Sequence, residues 1–106
     1  MTKAKTGRKR LIMSDDMTIY NALSQKEKLL QALQACQELE IDLSKVGEID
    51  TAGFQVLLLV KRESVKTNKT LRLSAPSNAV NDLFSLFNAT AYFADQTGLR
   101  NQAIQG

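Results

Sequence analysis

Leu39, Ile41 and Leu43 alternate with Glu40 and Asp42, and within a short loop that rhythm gives way to a block, Val56 to Val60, that is apolar on every side. Period-two spacing marks a strand with one apolar face, and an all-apolar block inside a helical stretch marks a helix covered on both sides. The chain is therefore limited to folds in which a strand runs directly into a buried helix. The spacing predicts that helix from about Thr51 to Lys66, as the central element.

The flanking segments extend the pattern. Arg10-Leu-Ile-Met13 and Met17-Thr-Ile-Tyr20 are rich in strand formers, and Ser14-Asp15-Asp16 between them supplies turn chemistry, so they read as an antiparallel pair. Ser24-Gln-Lys-Glu27 has capping-box spacing and predicts a helix start. Beyond it Leu29, Leu30, Leu33 and Cys36 form one apolar stripe, on which Cys36 serves as a small buried hydrophobe. Thr70-Leu-Arg-Leu-Ser74 alternates and predicts another strand. Pro76-Ser77 opens a third helix with Val80, Leu83, Phe84 and Phe87 at i, i+3, i+4 and i+7, and Tyr92-Phe93 begin a last short strand or coil.

Strands that alternate with helices imply an α/β fold. The expectation is a single domain over residues 10–106, preceded by a basic tail over 1–9. It has a mixed, mostly parallel sheet of about four strands, the first antiparallel at an edge. Helices pack mainly on one sheet face and leave the other only partly covered. At 106 residues there is room for one such core.

Several function classes drop out on residue types alone. The chain has no histidine, a single cysteine and no tryptophan, which excludes a Ser-His-Asp triad, a Cys-His dyad, a histidine-containing zinc site and an intramolecular disulfide. The longest wholly apolar run is five residues, far short of the ~18 of a membrane span, and the N-terminus lacks the apolar core of an export signal. A cytoplasmic location without membrane insertion is the expectation. Five of the fourteen basic residues fall in the first ten positions, leaving nine against eleven acidic residues, so the net charge of +3 belongs to the tail. With no aromatic residue among those charges, a solvated end is favoured over specific nucleic-acid binding.

The stretch most open to chemistry is Ser44-Lys-Val-Gly-Glu-Ile-Asp-Thr-Ala-Gly53, which leads into the central helix. Asp50 and Thr51 stand at the loop–helix junction, Ala52 adds no bulk and Gly53 permits close approach. Either Asp50 or Thr51 suits the N-cap of a buried helix, and spacing alone favours that role. A hydroxyl at a helix N-terminus is equally placed to carry a phosphate, and spacing leaves this open. Catalysis finds little support: Glu48 and Asp50 are close in sequence, but a carboxylate pair needs a pocket and unequal environments to act as acid and base, and Gly47 and Gly53 have no following lysine to make a phosphate loop. No cofactor or metal is expected.

Asp42-Leu-Ser-Lys-Val-Gly-Glu-Ile-Asp-Thr-Ala-Gly53, followed by the apolar helix, resembles the signature of STAS domains, the family of bacterial anti-sigma factor antagonists. Thr18-Ile-Tyr-Asn-Ala22, Leu71-Arg-Leu-Ser-Ala-Pro-Ser77 and the third helix extend the resemblance over nearly the whole chain, with small chemotaxis-associated members the most similar. The resemblance implies a non-catalytic switch whose hydroxyl after the loop aspartate, here Thr51, is phosphorylated by a serine/threonine-kinase-type anti-sigma factor or related ATPase-domain protein and reset by a phosphatase. It implies partner contacts through Ser44, Glu48, Asp50, Thr51, Ala52, Gly53 and Gln55. Serine is the more frequent acceptor, and a small hydroxyl or glycine often follows where this chain has Ala52. A lipid-transporter STAS subunit also carries Asp-Thr-Ala-Gly, so the alternative is a non-switching subunit that stabilises a transporter ATPase or a chemotaxis complex.

Overall fold

The computed structural model describes residues 7–89 and 92–93. Six elements follow one another: β1 (Arg8–Ile12), α1 (Ala22–Gln34), β2 (Glu38–Asp42), α2 (Thr51–Lys66), β3 (Thr70–Ser74) and α3 (Asn78–Leu86). The strands form one sheet in the order β1-β2-β3, and both neighbouring pairs are parallel, with Lys9, Leu39 and Leu71 in one row and Leu11, Ile41 and Leu73 in another.

Strand alternation then sorts the two faces. Leu39 and Ile41 are fully buried and Leu71 nearly so, on the side where α1 meets β2 and α2 meets β3. The other side is a lattice of charges. Arg8 pairs with Glu38 at 3.2 Å, Arg10 with Glu40 at 3.4 Å and with Asp42, and Arg72 with Glu38 at 3.7 Å. Three guanidinium groups face three carboxylates, so the charges of this face balance.

The expected antiparallel first strand is corrected, as is the count of four: the described residues form three strands, all parallel. Arg8 and Lys9, expected in the tail, begin β1. Met17-Thr-Ile-Tyr20 does not return along Arg10–Met13, because Met17 is drawn fully into the core and its backbone bridges in parallel to Ile49. Burying that side chain and pairing its backbone with the loop before α2 outweighs a short hairpin.

The start of α1 is corrected too. Asn21 precedes its first turn without a capping side chain, since its amide donates to the Asp16 carbonyl at 2.8 Å, and the Ser24 hydroxyl donates back to the Asn21 carbonyl at 3.2 Å. At the other end, the Lys69 ammonium donates to the carbonyls of Leu33 at 2.7 Å and Gln34 at 3.3 Å, satisfying groups that α1 leaves open. Cys36 is buried beside that end, and burial pushes its thiol pKa up.

Helix α2 occupies the predicted span, yet it is not apolar-covered all round. Val56, Leu57 and Val60 are buried, Leu58 and Leu59 half-buried, and Gln55 and Arg62 exposed. Ser77 caps α3 by accepting from the Val80 amide at 3.3 Å. Phe84 then meets Phe54 edge-on, with centroids 5.7 Å apart, and stacks on Phe93 at 4.9 Å. Tyr92 and Phe93 are helical rather than extended, because the Phe93 amide donates to the Ala89 carbonyl. The stretch from Gly98 to Gly106, which reads from its sequence as a loose polar end, lies outside the described residues. Among the described residues no helix is long and apolar enough to cross a membrane.

Candidate functional site

Two loops meet at the C-terminal end of the sheet: that between β1 and α1, and that between β2 and α2. The Met17 amide donates to the Glu48 carbonyl at 2.8 Å, and the Asp50 amide donates to the Met17 carbonyl at 3.1 Å. The Asp16 carboxylate accepts from the Glu48 amide at 3.0 Å, while its carbonyl accepts from the side chains of Asn21 and Gln25. Gly53 makes the junction possible. A Cβ there would overlap the Met17 carbonyl oxygen and lie 2.7 Å from its carbonyl carbon, so only glycine lets the first turn of α2 rest against Met17.

Asp50 is the N-cap of α2. One carboxylate oxygen accepts from the Gly53 amide at 3.1 Å and the other from the Ile19 amide at 3.0 Å. The Gly53 amide first, then those of Ile19 and Ala52, hold its pKa below the usual carboxylate value. Asp50 thus performs the capping that spacing left open between it and Thr51. Thr51 is the first residue of α2, it is exposed, and its hydroxyl bonds to no other described residue.

Glu48 and Gln55 are exposed, Ala52 is half-buried and Gly53 is buried. Ser44 is exposed at the end of β2, where its amide donates to Asp42 at 2.8 Å. Ser44, through hydroxyl and amide, and then Arg10 hold the Asp42 pKa down as well, so Ser44 serves the end of the strand before it serves the Thr51 surface.

Sequence reasoning missed the contribution of the β1–α1 loop. A groove beside Asp50 is lined by Asp16, Thr18, Tyr20, Asn21, Glu48 and Ile49. Next to it Ile19, Tyr20 and Leu23 are 64%, 92% and 65% exposed. The signal was present: a strand reading of Met17–Tyr20 assigns these apolar residues a core that one α/β layer has no room to provide. Among the described residues no cluster of acidic, cysteine or histidine side chains could hold a metal ion.

Comparison with known proteins places this geometry in context. A family model described as "Mlab, STAS domain" matches residues 1–94 of the chain. Among solved structures, "Structure of the Anti-Sigma Factor Antagonist SpoIIAA in its Unphosphorylated Form" superimposes with a TM-score of 0.57 at 18% identity, covering 80% of this chain and 77% of that one. No curated protein matches the chain significantly in sequence.

Proposed function

The chain belongs to the STAS domain family, and from that premise we propose that it is a non-catalytic binding module of the anti-sigma-factor-antagonist kind, switched by phosphorylation at Thr51. The observation that carries this reading is the division of labour at the start of α2. Asp50 takes the capping bonds, and Thr51, one residue on, keeps an exposed and uncommitted hydroxyl.

Phosphorylation adds roughly −1.5 to −2 charge and three acceptor oxygens. In many helices the free amides of the first turn would gather that phosphate in. Here the Gly53 amide already serves the Asp50 carboxylate and the Phe54 amide the Asp50 carbonyl. The phosphate therefore stays displayed at the surface, on a segment that already carries Glu48 and Asp50, and the change is felt by whatever docks there.

The partner in this reading is a serine/threonine-kinase-type ATPase-domain protein, which binds the unmodified surface, phosphorylates it and lets it go. A phosphatase restores binding. A partner that seats apolar or acidic groups over Glu48, Asp50, Thr51, Ala52 and Gln55 pays desolvation and repulsion once the phosphate is present, and each ~1.4 kcal/mol lost weakens binding tenfold.

The test is intact-mass spectrometry of the chain after incubation with ATP and the candidate kinase. Wild type gains one phosphate and Thr51→Ala none. Calorimetry then follows binding, with Thr51→Ala tight and the phosphorylated chain weak. Phosphate on another residue, or equal affinity of both forms, refutes the switch.

One observation favours the second reading, a non-switching subunit of a larger assembly such as a transporter ATPase or a chemotaxis complex. Ile19, Tyr20 and Leu23 expose apolar surface beside Thr51, which suits permanent docking without any change of charge. Under that reading Tyr20→Ala weakens assembly strongly, and Thr51→Glu leaves it unchanged.

A further inference from the structure

β1 is an edge strand of the sheet, paired on one side with β2. The phase of the β1 ladder is set at both ends. The Gly7 carbonyl accepts from the amides of Gln37 and Glu38, and the Met13 amide donates to the Asp42 carbonyl. In a parallel ladder a strand turns the backbone groups of every second residue toward the same neighbour. Gly7, Lys9, Leu11 and Met13 thus face β2, and the N–H and C=O groups of Arg8, Arg10 and Ile12 point away from the sheet. Among the described residues no strand pairs with them.

What flanks this edge selects its occupant. On the helix-covered side runs a groove with an apolar floor of Leu11, Ala32 and Ala35, bordered by Lys9, Lys28 and Gln31. Lys9 and Lys28 are exposed, and among the described residues no carboxylate lines the groove and neither ammonium forms an ion pair. On the opposite side Arg8 and Arg10 are already held by Glu38, Glu40 and Asp42. The available charge of the edge is positive and lies beside apolar floor.

A second copy of the chain would bring another pair of unpaired ammonium groups, Lys9 and Lys28, to the same edge, so the charge that keeps such edges from self-pairing acts here. A nucleic-acid backbone would satisfy the ammonium groups, but its phosphates only accept, leaving the outward carbonyls of Arg8, Arg10 and Ile12 unmatched. No aromatic ring lines the groove to stack a base. An extended polypeptide matches both N–H and C=O, and one whose groove-facing side chains, every second residue, include both carboxylates and apolar groups matches Lys9 and Lys28 together with the floor.

We propose that the β1 edge accepts an extended acidic segment of a partner protein, which adds a fourth strand along Arg8, Arg10 and Ile12 and seats its alternate side chains against Lys9, Leu11 and Lys28.

The probe is a capped peptide in which every second residue is threonine and the residues between are glutamate and valine in turn, so that both kinds reach the groove, titrated into the full-length chain labelled for amide NMR. The expected result is at least tenfold greater exchange protection at the amides of Arg8, Arg10 and Ile12, with those of Lys9 and Leu11 unchanged because they already bond within the sheet. Affinity is expected to fall about tenfold between low salt and ~0.5 M, as screening of a charged contact requires. The double variant Lys9→Glu, Lys28→Glu is expected to weaken binding at least tenfold. Its own fold is monitored by circular dichroism, and Lys28→Gln alone provides a milder check. Any of four results overturns the proposal: protection elsewhere than the three outward amides, equal binding of a peptide N-methylated at alternate residues, tighter binding of oligothymidylate than of the peptide, or β1 pairing between two copies of the chain.

Discussion

Replacing Gly53 by alanine tests the architecture of the Thr51 surface with a single methyl group. The added Cβ overlaps the Met17 carbonyl oxygen and comes within 2.7 and 2.8 Å of two further Met17 atoms, and the obstacle is backbone rather than a flexible side-chain tip. Relief requires the β1–α1 loop to withdraw by an ångström or more. That motion strains or breaks three bonds between the two loops, two of them made by Met17: its amide to Glu48, the Asp50 amide to its carbonyl, and the Ile19 amide to the Asp50 carboxylate. At about 1 kcal/mol each the loss is roughly 3 kcal/mol. Alanine is the better helix former by ~1 kcal/mol, which offsets part of it. The expected net loss is about 2 kcal/mol, a sizeable share of the ~5–15 kcal/mol typical of a domain. Urea unfolding measures it, and the Ile19 and Asp50 amide resonances should move most. Ala52→Gly, which removes helix propensity without steric conflict, serves as the comparison at about 1 kcal/mol. A Gly53→Ala chain as stable as wild type would show that the two loops are not stitched as described.

Leu57→Ala, at a fully buried position of α2, should cost ~2–5 kcal/mol in urea unfolding and Leu58→Ala, half-buried, distinctly less; the reverse order would place the wrong face of α2 in the core. Lys69→Met should lose about 1 kcal/mol and speed amide exchange in the last turn of α1, because the carbonyls of Leu33 and Gln34 lose their ammonium partner; unchanged exchange there would refute the latch. The pKa values of Asp42 and Asp50 are lowered on folding, so the stability they contribute is complete above the unfolded carboxylate value near 4 and drains away as pH falls through their lower folded values. Asp50→Asn should accordingly be less stable at neutral pH and lose less on acidification, and acid unfolding curves that superimpose would contradict this.

The sequence made α2, β3 and α3 readable because each carries its own periodicity and its own terminal chemistry, with Asp50 and Ser77 as caps. The hidden part was the stretch from Met13 to Asn21. Its local composition says strand and turn, but its conformation is decided by groups about thirty residues away, the amide and carbonyl of Glu48 and the carboxylate of Asp50. Local propensity has no access to such partners. The same long-range fastening explains why Asp50 and Thr51 were legible as a junction while Ile19 and Tyr20, their neighbours in space, were not. The apolar stripe of α2 was legible as buried, but which of its residues turn toward solvent depended on where α1 and β3 lie.

Phe84 and Phe93 close over Phe54, and Phe54 follows Gly53 in the first turn of α2. The residues that build the site therefore point in opposite directions from one short segment. Phe54 goes into the aromatic core, Gly53 against Met17, Asp50 onto the amides of Gly53 and Ile19, and Thr51 into solvent. Three of these four positions are committed to holding the helix start in place, and the fourth makes no bond to another described residue. A surface hydroxyl that supports nothing else can be altered without loosening the fold, since exposed substitutions away from caps and buried networks usually change stability by less than ~0.5 kcal/mol. Its position is nonetheless fixed, because the neighbours that fix it are buried or hydrogen-bonded. A binding surface that changes charge while keeping its shape needs this combination, and the Asp50-Thr51-Ala52-Gly53 turn supplies it within one turn of helix.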